Sequence, residues 1–229
     1  MNVAIILGGG LGSRFGRNTP KQFIVINTRA ILIETLEIFN TCSDIDKILI
    51  VMHEKYIQKT HKLISNFTLN KDFEIIIGGR TRQESSYKAL SHINENPPSI
   101  VVIHDAVRPL VTRKIITDSI RAAEKYGAVD VVVKATDTIV YAKNGFIVNI
   151  PDRECYYYGQ TPQSFKYDII WKAHQLAKKD DFTNATDDAK LVLRLDKKVR
   201  IVQGNYSNIK LTNSQDFQFI KTLFNKKKD

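Results

Sequence analysis

Val3-Ala4-Ile5-Ile6-Leu7-Gly8-Gly9-Gly10-Leu11-Gly12-Ser13-Arg14-Phe15-Gly16, with Pro20-Lys21-Gln22 just beyond it, decides the fold. The apolar run Val3 to Leu7 reads as a buried strand. It runs straight into Gly8, Gly9, Gly10 and Gly12, a loop whose backbone can approach a ligand closely. Successive backbone N–H groups in such a loop can converge on phosphate oxygens. Two cations, Arg14 and Lys21, follow about one loop's width apart. The natural guest is a polyanion such as a nucleoside triphosphate.

Spacing excludes two common glycine loops. A P-loop needs G-x-x-x-x-G-K-[ST], and no Gly-Lys-Ser/Thr follows here. The dinucleotide fingerprint G-x-G-x-x-G would require glycine where Ser13 or Phe15 stands.

Outward from the loop, apolar runs alternate with helical patterns. The spacing predicts strands at 3–7, 47–52, 73–77, 99–104 and 129–134. Helical patterns lie near 30–40, 54–65, 81–93 and 112–126. Such alternation builds βαβ units, so the expected class is α/β: a Rossmann-like, mostly parallel sheet with helices on both faces. Ligands of open α/β sheets sit beyond the carboxyl ends of the strands. That rule puts the glycine loop, the Gly78-Gly79 turn and the His104-Asp105 turn on one rim.

Past residue 134 the pattern changes. Thr138-Ile139-Val140-Tyr141 and Phe146-Ile147-Val148 flank Lys143-Asn144-Gly145. Asn-Gly between two β-prone runs marks a hairpin. Residues 137–158 therefore read as a β-arm projecting from one domain that spans 1–229. Tyr156-Tyr157-Tyr158 is too aromatic for a free arm, so the expectation is a homodimer formed through it. Helices near 166–178 and 186–195, a strand near 199–203 and a last helix from about 213 complete the chain.

Composition narrows the setting. Two cysteines, Cys42 and Cys155, form neither a disulfide framework nor a metal-site spacing, which suits a reducing cytoplasm. The N-terminus enters a strand at once, without a leader pattern. No apolar run reaches the roughly 18 residues of a membrane span, so no membrane partner is expected. The net charge of +10 admits nucleic acid, but apart from Lys226-Lys227-Lys228 the basic residues are scattered. A phosphate-binding cleft on a solvated surface explains the charge better, and no nucleic-acid partner is expected.

Further motifs follow the strands. Gly78-Gly79-Arg80-Thr81-Arg82-Gln83-Glu84-Ser85 opens a helix, whose N-terminus favours anions and acceptors. Taken alone it is equally a helix start with surface arginines. His104-Asp105-Ala106-Val107-Arg108-Pro109 puts a carboxylate at a strand's carboxyl end. Asp105 could hold Mg²⁺ or a hydroxyl, or simply cap a turn with Arg108 as its ion-pair partner. Of the five histidines only His104 adjoins a motif, and a structural bond to a nearby carbonyl is expected for it.

The pattern G-G-x-G-S-R-x-G with P-K-Q behind it resembles the signature loop of the sugar-nucleotide-type nucleotidyltransferases. With H-D-A-x-R-P it is similar to the cytidylyltransferases that couple CTP to a polyol phosphate. Matching segments continue in order through Gly159-Gln160-Thr161-Pro162-Gln163-Ser164-Phe165, Thr186-Asp187-Asp188-Ala189 and Tyr206 to Thr212. The resemblance implies nucleotide contacts from Leu7, Gly8, Gly9, Gly10, Gly12, Ser13, Gly79, Arg80, Ser85 and Asp105. It implies polyol-phosphate contacts from Asp105, Arg108, Thr138, Arg153, Thr186 and Lys210, with Thr138 and Arg153 reaching across a dimer. Mg²⁺ is the implied cofactor, with Asp105 as its protein ligand.

The implied nucleophile is a phosphate monoester, mostly dianionic at neutral pH because its second pKa is about 6. No general base is needed. An anion must attack an anion, so catalysis should be positioning and charge neutralisation, with Arg14 and Lys21 as the catalytic residues. The wording around Val107, Asp137 to Val140 and Gly159 to Phe165 looks more like the ribitol 5-phosphate branch than the methylerythritol 4-phosphate branch, which usually has alanine at the position of Val107.

Overall fold

The N-terminal apolar run forms β1 (Asn2–Leu7), buried on both faces apart from its first residue, as a central parallel strand requires. The computed structural model describes residues 1–10, 19–183 and 185–226. A small hairpin of β2 (Val25–Ile26) and β3 (Arg29–Ala30) leads into α1 (Ile31–Asn40). Three further strand–helix pairs follow: β4 (Lys47–Met52) with α2 (Ile57–Ile64), β5 (Asp72–Ile77) with α3 (Arg82–His92), and β6 (Ile100–Asp105) with α4 (Arg113–Tyr126). Thr112 caps α4, its hydroxyl accepting from the Ile115 N–H at 3.3 Å, and Gly127 ends the helix at φ +88°. Then come β7 (Ala128–Lys134), β8 (Tyr141–Lys143), β9 (Phe146–Asn149) and β10 (Tyr157–Lys166). The chain finishes with α5 (Tyr167–Lys179), α6 (Ala189–Leu193), β11 (Arg200–Gln203) and α7 (Ser214–Lys226).

The main sheet runs β11-β7-β10-β6-β1-β4-β5. All neighbouring pairs are parallel except those made by β10, which runs antiparallel between β6 and β7. This is the mostly parallel α/β sheet expected from the alternation. The antiparallel strand was not foreseen. Its polar wording, Gly159 to Ser164, does not look like a central strand. Its register with β7 slips between Gly159 and Gln163, and the Thr161–Pro162 peptide is cis.

Alternate side chains of each strand feed opposite cores. Ala4 and Ile6 join Leu36 and Phe39 of α1, Ile64 of α2 and Ile116 and Ile120 of α4. Val3 and Ile5 join Ala89 and Leu90 of α3, Ile170 and Ala173 of α5 and Leu191 of α6. A third cluster seats Ile220 of α7 on Ile24, Ile31 and Leu110.

The expected hairpin forms at Asn144 and Gly145, which both take positive φ (52° and 82°), as a tight hairpin turn demands. Its apolar residues are open: Phe146 is 77% and Ile147 64% exposed. Two expectations need correction. Tyr157 and Tyr158 belong to β10, paired with Lys134 and Val133, rather than to the hairpin. The helix expected over 186–195 shrinks to α6, because the buried Asp188 before it is drawn into a polar network.

Candidate active site

The chain reverses direction around β1: β4 and β5 lie on one side, β6 on the other. A crevice opens at such a switch point, beyond the carboxyl ends of the strands. Leu7 and Asp105, the last residues of β1 and β6, stand side by side at its floor.

Glycine lets the chain leave β1 here. A Cβ on Gly8 would lie 2.5 Å from Met52 Sδ, while the Gly8 N–H donates to the Val51 carbonyl at 2.8 Å. Gln22, 2% exposed, donates its amide to the carbonyls of Gly8 (2.6 Å) and Gly10 (3.2 Å), so two acceptors of the loop are satisfied within the protein. Pro20 starts the short 3-10 turn Lys21–Phe23 that carries Gln22. Lys21 Nζ donates to the Thr212 carbonyl at 2.6 Å, and a carbonyl fixes an ammonium without cancelling its charge.

The opposite wall is the start of α3. Thr81 caps it by accepting from the Glu84 N–H at 3.0 Å, and Glu84 reaches back to the Arg80 N–H at 2.7 Å. Ser85 Oγ accepts from the Gly79 N–H at 3.0 Å and donates to the Thr81 carbonyl at 2.9 Å. The hydroxyl therefore shapes the turn that it lines.

These walls enclose a cavity of about 480 Å³ lined by Leu7, Gly8, Gly9, Gly10, Lys21, Gln22, Gly79, Arg80, Thr81, Arg82, Ser85, Asp105, Val107, Lys210, Leu211 and Thr212. Four cations (Lys21, Arg80, Arg82 and Lys210) face one carboxylate, Asp105, among the described residues. Asp105 is held by Lys210 Nζ at 2.8 Å, Arg82 Nε at 3.4 Å and Arg108 Nε at 3.7 Å. Burial alone would raise its pKa. Arg82, Lys210 and Arg108 overcome that and hold it well below the usual carboxylate range.

Arg82 bridges two carboxylates. Its Nη1 donates to Asp188 Oδ2 at 2.6 Å, and its Nη2 points at Gln163 Oε1, 3.4 Å away. Asp188 also accepts from Ser86 at 3.3 Å, and its Oδ1 pairs with His174 Nε2 at 2.9 Å. Burial opposes the Asp188 charge, but Arg82 and His174 hold the carboxyl down to about 2. His104 is wholly buried, its Nε2 on the Arg108 carbonyl (3.1 Å) and its Nδ1 on Thr161 Oγ1 (2.9 Å). Burial lowers its pKa to about 4, so the ring stays neutral at physiological pH.

The structure thus gathers Leu7, Gly8, Gly9, Gly10, Lys21, Gly79, Arg80, Ser85, Asp105 and Lys210 around one cavity. Arg108 stands behind it, bonded to the Asn208 carbonyl at 2.7 Å. Gly12, Ser13 and Arg14 lie outside the described residues. Thr138, Arg153 and Thr186 are exposed and do not line this chain's cavity; Arg153 Nη1 donates to the Thr136 carbonyl at 3.2 Å. Sequence motifs alone do not single out Gln22, Arg82, Gln163 or Asp188. Arg82 was the one within reach, because it stands one residue past the cap of a glycine-led helix.

Fold and cavity together define a nucleotidyltransferase, built for a polyphosphate at the switch point of an α/β sheet. The family model of 2-C-methyl-D-erythritol 4-phosphate cytidylyltransferase (IspD) matches residues 2–226. The chain is 39% identical over 228 residues to the bifunctional ribulose 5-phosphate reductase/CDP-ribitol pyrophosphorylase Bcs1 of Haemophilus influenzae. That match covers 97% of this chain but 48% of the other, so the chain spans about half the length of that relative. It is also 39% identical over 226 residues to the 2-C-methyl-D-erythritol 4-phosphate cytidylyltransferase of Petrotoga mobilis, covering 98% of both proteins. The solved 4-diphosphocytidyl-2C-methyl-D-erythritol synthase of Anaerococcus prevotii has a TM-score of 0.86 at 27% identity, covering 98% of this chain and 96% of that one. The chain belongs to the IspD family, the CTP-dependent cytidylyltransferases.

Proposed function

We propose that this chain is a single nucleotidyltransferase domain that joins CTP to D-ribitol 5-phosphate, giving CDP-ribitol and pyrophosphate. The observation that carries the triphosphate reading is the cavity with four cations against one carboxylate at the switch point. The ribitol reading is supported by the Val107 and Gly159 to Phe165 wording and by the 39% identity to a CDP-ribitol pyrophosphorylase. The family description and the equally similar Petrotoga mobilis enzyme favour a second reading, methylerythritol 4-phosphate as acceptor.

In either case a phosphate oxygen of the acceptor attacks the α-phosphorus of CTP, and the bond to the β-phosphate oxygen breaks to release pyrophosphate. The monoester is already dianionic. His104 is buried and neutral, with both ring nitrogens engaged, which agrees with a reaction that needs no base. Lys21 and Arg14 neutralise the α-phosphate and the leaving group. The backbone from Leu7 to Gly10, with Gly12 and Ser13, cradles the triphosphate. Gly79, Arg80 and Ser85 face the base, and Lys210 takes a phosphate oxygen. Asp105 and Arg108 hold polyol hydroxyls, with Thr186 at the acceptor side.

Asp105 is the only carboxylate lining the cavity among the described residues, and cations already flank both its oxygens. A lining with one carboxylate would suit Mg²⁺ held chiefly by triphosphate oxygens, with Asp105 offering it at most one protein oxygen. When bound, the ion supplies charge neutralisation along the triphosphate.

Thr138 and Arg153 flank the open hairpin, away from this chain's own cavity. The reading is that they serve the cavity of a second copy, in a homodimer that covers Phe146 and Ile147. Arginine suits the acceptor phosphate because its fork binds two oxygens at once. No helix among the described residues is long and apolar enough to cross a membrane.

The test is pyrophosphate release with CTP and Mg²⁺, offering ribitol 5-phosphate and methylerythritol 4-phosphate in parallel. Activity with ribitol phosphate alone supports the first reading. Activity with methylerythritol phosphate alone replaces it with the second. Activity with neither refutes both.

A further inference from the structure

We propose that Asp130 is a positioning residue for this transfer, acting through Gln163 on the cations around Asp105. The inference rests on the cytidylyl-transfer reading, whichever polyol accepts. Asp130 lies on β7 directly opposite Gln163 of β10. Gln163 is 1% exposed, and its surroundings admit one orientation of the amide. Its Nε2 donates to Asp130 Oδ1 at 3.0 Å. Its Oε1 accepts from the Asp188 N–H at 3.0 Å and faces Arg82 Nη2 at 3.4 Å. Turned over, the amide would set its hydrogens against two donors and its oxygen against a carboxylate. A buried polar group left so unmatched costs about 1–3 kcal/mol.

Asp130 is therefore the acceptor that fixes Gln163. Gln163 fixes the outer edge of the Arg82 guanidinium, whose inner edge holds Asp105. Asp130 Oδ2 also lies near Gly159, whose carbonyl faces Arg108 Nη2 at 3.4 Å. Asp130 stands behind both arginines and does not line the cavity.

The charged groups facing Asp130 are Asp187 before α6, Arg82 at the start of α3 and Arg108 after β6. Burial, reinforced by Asp187, pushes its carboxyl up to about 7 against the pull of Gln163, Arg82 and Arg108. Ionised Asp130 can only accept, and it holds the amide as found. Protonated Asp130 can donate to Gln163 Oε1 and favour the turned-over amide. Activity should therefore fall as pH drops through about 7, beyond the loss set by the substrate phosphate near 6.

Three proteins decide it: wild type, Asp130→Ala and Asp130→Asn, each first shown to be folded by its melting curve. kcat and KM are read by pyrophosphate release from about pH 5.5 to 9, and wild-type activity by itself tests the functional reading. Asp130→Ala should lose about tenfold in kcat/KM at pH 8, the scale of one hydrogen bond's worth of positioning. Asp130→Asn can donate as well as accept, as the protonated acid does, so at pH 8 it should show the reduced kcat/KM that wild type reaches only below about pH 7. It should also lose the inflection near 7 and keep the one set by the substrate. Wild-type kcat/KM in Asp130→Ala, or the inflection near 7 surviving in Asp130→Asn, would overturn the proposal.

Discussion

Asp188→Asn isolates what the buried arginine clamp contributes. The carboxylate side chain is 1% exposed and serves Arg82, Ser86 and His174 at once. Its pKa of about 2 in the fold, against an ordinary 3.8, means that folding favours the ionised form. The gap corresponds to about 2 kcal/mol of stability. That stability is fully present above the unfolded pKa and is lost as pH falls through the folded one, with about half remaining near pH 3. Asparagine removes the charge and turns an N–H₂ toward groups that donate, so part of the about 3–5 kcal/mol cost of breaking a buried pair is added. The expected loss is about 2–4 kcal/mol at pH 7, narrowing as the solution is acidified. Urea unfolding followed through Trp171 reads it directly. This single tryptophan stacks on Tyr87 and Tyr167, beside His174 on α5. An Asn variant within about 0.5 kcal/mol of wild type, or a gap that does not change between pH 7 and 3, would refute this account of the clamp.

Other outcomes are as definite. Lys21→Ala should lower kcat by about 10²-fold or more while CTP affinity suffers less, because the charge it meets develops in the transition state; near-normal kcat in a pyrophosphate-release assay would remove Lys21 from the chemistry. His104 ring signals in NMR should stay constant from about pH 8 to 5, since burial lowers the pKa to about 4. The unfolded chain takes up that proton near 6.5, so His104 makes the fold less stable as pH falls from there towards about 4. Phe146→Asp on the open hairpin should convert a dimer to monomer in sedimentation, and a wild type that sediments as a monomer at micromolar concentration would rule out the hairpin as a dimer contact.

Much of the fold was legible because hydrophobic periodicity is local. The runs at 47–52 and 129–134 and the Asn144-Gly145 turn could be read from a few neighbouring residues each. The strand Tyr157–Lys166 was not legible. Its pairing with β6 joins residues as far apart as Ile100 and Lys166, and its glycine, proline and polar side chains disguise it. The same division runs through the site. Gly8, Lys21, Gly79 and Asp105 follow strands or open a helix, so their place on one rim follows from the βαβ rule.

What the sequence determined by itself was the strand–glycine-loop start, the α/β class and the rim on which Gly8, Lys21, Gly79 and Asp105 meet, since each depends on contacts within one strand–turn–helix unit. What only the tertiary structure decided was the charge balance of that rim. Arg82 is shared between Asp105 and Asp188, which are 23 and 106 positions away, and Gln163 is shared between Asp130 and Asp188. No local pattern encodes such pairs. They exist because burial makes an unmatched charge too costly to keep, and only the packed chain determines which opposite charge lies within reach.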